Sequence, residues 1–332
     1  MANDFQPAWF VPGPHAQTIW GRLVRPRRLV TLRREAIETP DGDELILDHL
    51  DGAIASPHFV LLHGLEGSSQ SVYIQGVLSS IERHGYSATA INFRSCARDP
   101  QSLLRMIPNR RPRFYHSGET SDFDFVVRRL ASTGVRLAAF GASLGGNVVL
   151  KWLGENREQQ FVSAAATISV PYDLGAGAAF LESRAGRLYV NGFLKTLKKK
   201  VVKVVADFPE LAEKVNVERA LAAQTFREFD DAATAPLHGF ADADDYYNRA
   251  SSIHYLSRIA TPTLCVSSAD DPFLPREVLE RVRAIASPYV DLRTTECGGH
   301  VGFVAGSMPW NCVYWAEELV VEWLVEKASL SS

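Results

Sequence analysis

The stretch Gly141-Ala142-Ser143-Leu144-Gly145 constrains the fold of this chain more than any other. A short apolar run at residues 135–140 predicts a buried strand before it, and apolar residues at helical spacing follow over residues 146–153. Strand and helix can approach this closely only where small residues lie two positions before and after the serine. We therefore predict a strained strand-to-helix turn, a nucleophile elbow that exposes the Ser143 hydroxyl beside free helix N–H groups. The alternative is a glycine-rich turn whose serine only caps the helix.

Composition places the chain among ordinary globular proteins. Its 332 residues are 46% apolar and 22% charged, and a net charge of −3 gives no reason to expect nucleic acid as a partner. The four cysteines show no C-x-x-C spacing, so we expect reduced thiols and a cytoplasmic location. We find no run of 18 apolar residues and no signal-peptide pattern at the start of the sequence, so no membrane span is expected.

Alternation of apolar runs with helical patterns from residue 58 onward predicts an α/β fold with a mostly parallel sheet covered by helices on both faces. Two leading strands flank the turn signal Pro40-Asp41-Gly42-Asp43 and form an antiparallel start. Residues 1–28 are expected to be irregular, and residues 310–325 to form a closing helix. The eight predicted strands are residues 30–38, 44–50, 58–62, 86–93, 135–140, 161–170, 263–267 and 290–295.

Residues 171–258 interrupt this alternation with several helix-like patterns and no convincing strand. We predict a helical lid inserted into a core of residues 1–170 and 259–332, covering the carboxyl ends of the strands. Within it, Phe180, Leu188 and Phe193 are candidates to line a pocket, or equally to form the core of the lid. The lysines between residues 195 and 203 are expected to be a solvated face, and contact with a membrane surface is the alternative.

A serine hydroxyl needs a base within hydrogen-bond reach, and the base needs an orienting carboxylate. In a fold of this kind these partners follow in the order serine, acid, histidine, each after a strand. Asp270 and Asp271 follow the strand at residues 263–267, and Glu296-Cys297-Gly298-Gly299-His300 follows the strand at residues 290–295. We predict Ser143 as the nucleophile, His300 as the base and Asp271 as the acid, because Asp271 begins a D-x-x-x-P pattern. Asp270 is expected to cap the loop or the next helix.

A second small-residue turn, His63-Gly64-Leu65-Glu66-Gly67-Ser68-Ser69, follows the strand at residues 58–62. It would present the N–H of Leu65 to the reaction centre, with the N–H of Leu144 as its partner. Two such donors form an oxyanion hole. His63 begins the turn and is poorly placed as the base. A plain glycine-rich turn is the alternative.

Six motifs are spread along the chain: Pro14-His15-Ala16-Gln17-Thr18, His63-Gly64-Leu65-Glu66-Gly67, Asn92-Phe93-Arg94, Tyr115-His116-Ser117-Gly118-Glu119-Thr120, Gly141-Ala142-Ser143-Leu144-Gly145-Gly146-Asn147 and Asp270-Asp271-Pro272-Phe273. Together they resemble the YheT-like branch of the α/β-hydrolases, over nearly the whole chain. The resemblance implies a serine esterase or lipase-like enzyme of that fold, acting on short- or medium-chain acyl esters, with phospholipase-like, acylglycerol-lipase-like and ester-forming acyltransferase relatives. One departure is Ser95, where glycine is expected.

The resulting hypothesis is a carboxylic ester hydrolase that forms an acyl-enzyme on Ser143 and acts on a small-molecule or lipid ester. It needs no cofactor, and the sequence has no H-E-x-x-H or C-x-x-C metal-ligand spacing. The alternatives are an acyltransferase that uses the same three residues with an alcohol acceptor, and a non-catalytic binding protein on the same scaffold. Neither the physiological substrate nor the oligomeric state follows from the sequence.

Overall fold

The strands fall into one large sheet and two hairpins. A computed structural model describes residues 5–26, 30–183 and 186–330. Within them the strands are β1 Arg33–Glu38, β2 Glu44–Leu50, β3 Ile54–Leu62, β4 Tyr86–Asn92, β5 Arg98–Asp99, β6 Ser102–Met106, β7 Leu137–Ala142, β8 Val162–Ile168, β9 Thr263–Ser268, β10 Val290–Thr295, β11 Val304–Met308 and β12 Asn311–Tyr314.

The large sheet has eight strands in the order β1-β2-β4-β3-β7-β8-β9-β10. Strand β2 runs antiparallel to both β1 and β4, and the remaining neighbours are parallel. In the register of β3 with β7, Leu62 lies opposite Gly141, so the turns at residues 63–67 and 141–145 leave the sheet side by side. The predicted fold class, a mostly parallel eight-stranded sheet with an antiparallel start, is confirmed.

Twelve α-helices accompany the strands in the described residues. Short 3₁₀ segments at Pro209–Glu213, Ser252–His254 and Leu256–Arg258 and a π-helical turn at Asp230–Thr234 join some of them. The helices are α1 Gly13–Val24, α2 Val72–Arg83, α3 Ser121–Ala131, α4 Leu144–Glu155, α5 Leu174–Leu181, α6 Gly186–Asp207, α7 Val217–Ala222, α8 Phe226–Phe229, α9 Ala235–His238, α10 Ala243–Ala250, α11 Arg276–Ile285 and α12 Trp315–Leu330.

Each face of the sheet is covered by its own helices and its own core. Strand side chains alternate between the faces, so Val60 and Leu62 belong to one core and Phe59 and Leu61 to the other. Helices α3, α4 and α11 cover the first core, and α2 and α12 cover the second. Because both faces are buried, the central strands are continuous apolar runs, as in the fully buried Leu137–Ala142.

The described part of residues 171–258 consists of helices and helical turns joined by short loops, without a strand, and it has small cores of its own. Helix α6 buries Val190, Leu194, Val201 and Val204 at helical spacing, packed with residues of α7 and α8. A second cluster joins α5 to α10. The division of the chain into core and lid stays a prediction, and Arg184 and Ala185 lie outside the described residues.

Two expectations at the chain ends are wrong. Residues 13–24 form helix α1 instead of irregular chain. Pro14 lies in the first turn, where backbone N–H groups have no intrahelical partner, so a proline there costs no hydrogen bond. The side chain of Gln17, buried below α1, donates to the carbonyls of Val11 and Val304. The closing helix begins at Trp315, because residues 311–314 pair with β11 as strand β12. That contact is between segments of the chain, so helical spacing alone does not reveal it.

The turn between β7 and α4 fixes how closely strand and helix pack. A Cβ on Gly145 would come within 2.5 Å of the carbonyl oxygens of His63 and Leu62, and one on Gly141 within 2.5 Å of the Gly145 carbonyl. These neighbours are backbone atoms and cannot rotate away. These direct steric contacts explain why only small residues fit here, as the sequence predicts.

We expect Gly145→Ala to lower the free energy of unfolding by about 1–3 kcal/mol or more, because the added methyl group overlaps backbone of β3. The matched control is Gly192→Ala in helix α6, where a Cβ would meet nothing within 4 Å. Removing a helical glycine there should stabilise the protein by up to about 1 kcal/mol. Denaturant unfolding of both variants measures the contrast. Equal effects of the two substitutions would contradict the steric explanation.

Candidate active site

Ser143 lies between β7 and α4 in a conformation that few residues other than glycine adopt. Its backbone angles are φ 52° and ψ −123°. Its N–H donates to the carbonyl of Ile168 at 2.8 Å, and its carbonyl accepts from the N–H of Asn147 at 3.1 Å. These bonds to β8 and to the first turn of α4 hold the strained residue in place. The turn has the geometry that a nucleophile elbow requires.

The imidazole of His300 lies within hydrogen-bond distance of the serine. Nε2 of His300 is 2.9 Å from Oγ of Ser143. The loop that carries His300 follows β10 and turns through Gly299, at φ 63°. Its backbone is held from outside the sheet, because the N–H of His300 donates to Oγ1 of Thr18 in helix α1 at 2.9 Å.

Asp271 accepts from the other nitrogen of the same ring. Nδ1 of His300 is 2.9 Å from Oδ2 and 3.1 Å from Oδ1 of Asp271. An ionised carboxylate only accepts, so Nδ1 carries the proton, and Nε2 is free to accept the proton of the Ser143 hydroxyl. The Asp271 side chain is only 4% exposed, and it also accepts from the N–H of Phe273 at 2.8 Å.

The neighbouring Asp270 points elsewhere. It accepts from the hydroxyl of Ser268 and, at 2.9 Å, from the N–H of Gly299. Asp270 thus ties the loop after β9 to the loop after β10 and does not contact the ring of His300. Of the two adjacent carboxylates, the structure brings Asp271 to the histidine.

The turn after β3 lies against the serine. A Cβ on Gly64 would be 3.1 Å from Cβ of Ser143. His63 holds this turn with both ring nitrogens, because Nδ1 donates to the Gly64 carbonyl at 2.7 Å and Nε2 accepts the N–H of Phe93 at 3.1 Å. Burial lowers the pKa of His63 to about 3, so the ring stays neutral and has no free nitrogen for a substrate.

The N–H groups of Leu65 and Leu144 are the predicted oxyanion donors. Leu144 is the first residue of α4, where helix geometry leaves the N–H without an intrahelical partner. Across the described part of the chain, the N–H of neither leucine makes a hydrogen bond to the protein. Both are therefore available to an incoming oxygen, and their role as an oxyanion hole stays a prediction.

Two tyrosines support this turn and were not assigned roles from the sequence. The N–H of Gly64 donates to the hydroxyl of Tyr73 at 2.8 Å, and the N–H of Glu66 donates to that of Tyr115 at 2.7 Å. Tyr115 opens the Tyr115-His116-Ser117-Gly118-Glu119-Thr120 motif noted in the sequence. The motif was a signal that Tyr115 matters, but its spacing gave no indication of the contact with Glu66.

An aromatic wall adjoins the histidine. The Phe273 ring stacks on His300 with centroids 4.1 Å apart and planes at 10°. Tyr189 and Phe193 of helix α6 contact Phe273 at centroid distances of 4.8 Å and 6.1 Å. Of the three residues of the predicted lid that were candidates to line a pocket, Phe193 reaches this wall. Leu188 is 78% exposed and Phe180 is 41% exposed.

Ser95 departs from the expected glycine at a position with φ 61°. Glycine reaches this left-handed conformation without strain, whereas serine does not. The Ser95 hydroxyl donates to Oδ1 of Asn109 at 2.8 Å. The departure therefore adds a side-chain bond within its own loop and does not touch Ser143, Asp271 or His300.

The described residues contain neither a cluster of metal ligands nor a membrane-spanning helix. Within residues 5–26, 30–183 and 186–330, no three histidine, cysteine, aspartate or glutamate side chains form a group that could hold a metal ion. None of the helices described there combines the length and the apolar character that a membrane-spanning helix requires.

Comparison with known proteins places the chain among hydrolases. A family model described as alpha/beta hydrolase fold matches residues 57–307. The "Putative esterase YheT" of Escherichia coli is 35% identical over 334 residues, covering 97% of this chain and 95% of the relative. "Phospholipase ABHD3" of Mus musculus is 32% identical over 324 residues, covering 95% and 76%. The solved esterase EaEST of Exiguobacterium antarcticum shares the fold, with TM-score 0.54 and 18% identity over 90% of this chain and all (100%) of that one.

Proposed function

The chain belongs to the α/β-hydrolase fold family, in its YheT-like branch of esterase- and lipase-like hydrolases, and on this premise we propose that it is a serine hydrolase of carboxylic esters. The observation that carries the proposal is the unbroken row of hydrogen bonds from Ser143 through His300 to Asp271. In this row a hydroxyl, a base and a carboxylate are ordered as nucleophilic catalysis requires.

In the proposed reaction, Oγ of Ser143 attacks the acyl carbonyl carbon while its proton passes to Nε2 of His300. Asp271 stabilises the resulting imidazolium through the bond at Nδ1. The carbonyl oxygen becomes an oxyanion, which accepts hydrogen bonds from the N–H groups of Leu65 and Leu144 at the positive end of helix α4.

Collapse of this intermediate breaks the bond to the alkoxy oxygen. The leaving alcohol takes the proton from Nε2 of His300, and the acyl group remains on Ser143 as an ester. Water then gives a proton to His300 and attacks the acyl-enzyme. The serine recovers its proton as the carboxylic acid leaves, so every proton that enters the ring leaves it again.

We propose short- to medium-chain acyl esters, including acylglycerols or phospholipids, as the substrate class. Relatives named as an esterase and a phospholipase support ester cleavage. The apolar wall of Phe273, Tyr189 and Phe193 beside His300 would receive an acyl chain. Residues 171–258 would then act as a lid, because α6 supplies two of these three rings.

A fluorophosphonate probe tests the nucleophile directly. We expect a single adduct on Ser143, located by peptide mass spectrometry, and we expect wild-type protein to hydrolyse p-nitrophenyl esters. Ser143→Ala should lose the adduct and about 10⁴-fold or more in kcat. An adduct on another serine of the active protein would contradict the assignment. Ester formed in place of free acid when an alcohol is added would indicate acyl transfer.

Asp271→Asn and Asp270→Asn form a matched pair of adjacent substitutions. Asp271→Asn should lower kcat by about 10²–10⁴-fold with the fold intact, because an amide no longer fixes the tautomer of His300. Asp270→Asn should lower kcat far less and act mainly on the melting temperature, since Asp270 only joins two loops. A larger loss of kcat in Asp270→Asn at unchanged melting temperature would reverse the assignment.

Phe193→Ala tests whether the lid shapes the acyl site. Removing the ring leaves more space beside Phe273, so we expect the preferred p-nitrophenyl ester to shift to one with a longer acyl chain. Leu188→Ala on the same helix is the control, because its side chain is exposed and should leave the profile unchanged. Identical chain-length profiles for wild type and Phe193→Ala would count against the lid.

A further inference from the structure

A buried ion pair joins lid helix α6 to the turn beside the serine. Nζ of Lys200 lies 2.6 Å from Oε1 of Glu66, and the two side chains are only 9% and 7% exposed. Glu66 directly follows Leu65, one of the two proposed oxyanion donors. The cation therefore comes from the lid and the anion from the turn that would hold the oxyanion.

Glu66 occupies a conformation that needs support. Its φ of 56° lies in the left-handed region, which glutamate rarely adopts. Tyr115 holds it twice, because the hydroxyl accepts the Glu66 N–H at 2.7 Å and donates to Oε1 at 2.9 Å. The other oxygen, Oε2, is buried without a hydrogen-bond partner in the described residues. A carboxylate in this position depends on a nearby cation.

Lys200 is the ammonium group beside that carboxylate. Its other contacts are neutral: it donates to Sγ of Cys96 at 3.3 Å and lies 5.3 Å from the centre of the Tyr115 ring. Burial raises the pKa of Cys96 to about 11, so Cys96 is a thiol and not a second anion. Glu66 is thus the carboxylate that balances the buried charge of Lys200.

We propose that Lys200 is a positioning residue for the hydrolytic reaction: by pairing with Glu66 it fixes the turn that presents the Leu65 N–H to the oxyanion. The inference rests on the proposed ester hydrolysis and extends it, since it makes the oxyanion hole complete only when α6 lies over the site. Of the other lysines of α6, Lys195, Lys199 and Lys203 are exposed, and Lys198 donates to the carbonyl of Ala223 at 2.6 Å, so none of them supplies this link.

Lys200→Met keeps an unbranched apolar stem, one atom shorter than that of lysine, and removes the charge. With a short soluble ester, we expect kcat to fall about 10- to 100-fold while KM changes little, because the misplaced donor acts on the transition state. The affinity for a trifluoromethyl ketone, whose adduct with Ser143 carries an oxyanion, should fall in parallel. Lys199→Met is the matched control, with unchanged kcat. Wild-type kcat in Lys200→Met would overturn the proposal.

The variant Glu66→Gln/Lys200→Met separates positioning from stability. If Lys200→Met leaves an unpaired buried carboxylate and lowers the melting temperature, the double variant removes that charge and should regain thermal stability. Glu66→Gln alone should also lower kcat, because it removes the same ion pair. The kcat of the double variant should equal that of Glu66→Gln, so the losses of the two single variants should not add. A double variant that recovers wild-type kcat together with stability would show that Lys200 only attaches the lid, and would overturn the proposal.

Hydrogen exchange tests the link without relying on activity. Amides of residues 64–67 should exchange faster in Lys200→Met than in wild type and in Lys199→Met, because the turn loses its contact with α6. If wild-type protein cleaves no ester but these amides still respond, the proposed function fails and the link between lid and turn stands. Unchanged exchange in Lys200→Met would overturn the link itself.

Discussion

The close approach of helix α4 to strands β3 and β7 is the constraint on which the rest of the site depends. Gly145 admits the backbone of His63 and Leu62 at a distance that no side chain would allow. This contact forces Ser143 into a strained turn and sets the turn of residues 63–67 beside it. The serine and both proposed oxyanion donors therefore owe their placement to one steric fact at the sheet edge.

The remaining groups of the site come from distant parts of the chain and are held by polar contacts. Thr18 of helix α1 holds the backbone of His300, and Asp270 joins the loops after β9 and β10. Helix α6 adds the aromatic rings of Tyr189 and Phe193 beside Phe273 and the buried ammonium of Lys200 beside Glu66. These contacts come from elements outside the sheet, whereas the packing of α4 on the sheet sets the position of the serine.

Much of the fold could be predicted because its central strands are local patterns. Residue patterns predicted β2 and the edge strand β10 with their observed bounds and the central strands β4, β7 and β9 to within two residues, and the alternation with helices predicted a mostly parallel sheet. The errors lie where pairing decides the structure. Helix α1 and the hairpin of β11 and β12 are stabilised by contacts between the two chain ends, such as Gln17 with Val304. Periodicity within one segment carries no information about such contacts.

By itself, the sequence determined the strand–turn–helix around Ser143 and the order of serine, acid and histidine along the chain. The strand–turn–helix follows from local steric limits that only small residues meet. The order of the three residues follows from the repeated alternation of strands and helices. The D-x-x-x-P pattern favoured Asp271 over Asp270, but only the tertiary structure shows that the Asp271 side chain reaches His300 and that Lys200 pairs with Glu66 across 134 positions of sequence. The physical reason is that side-chain direction and charge pairing depend on how separate elements pack, and packing brings together residues that no local pattern relates.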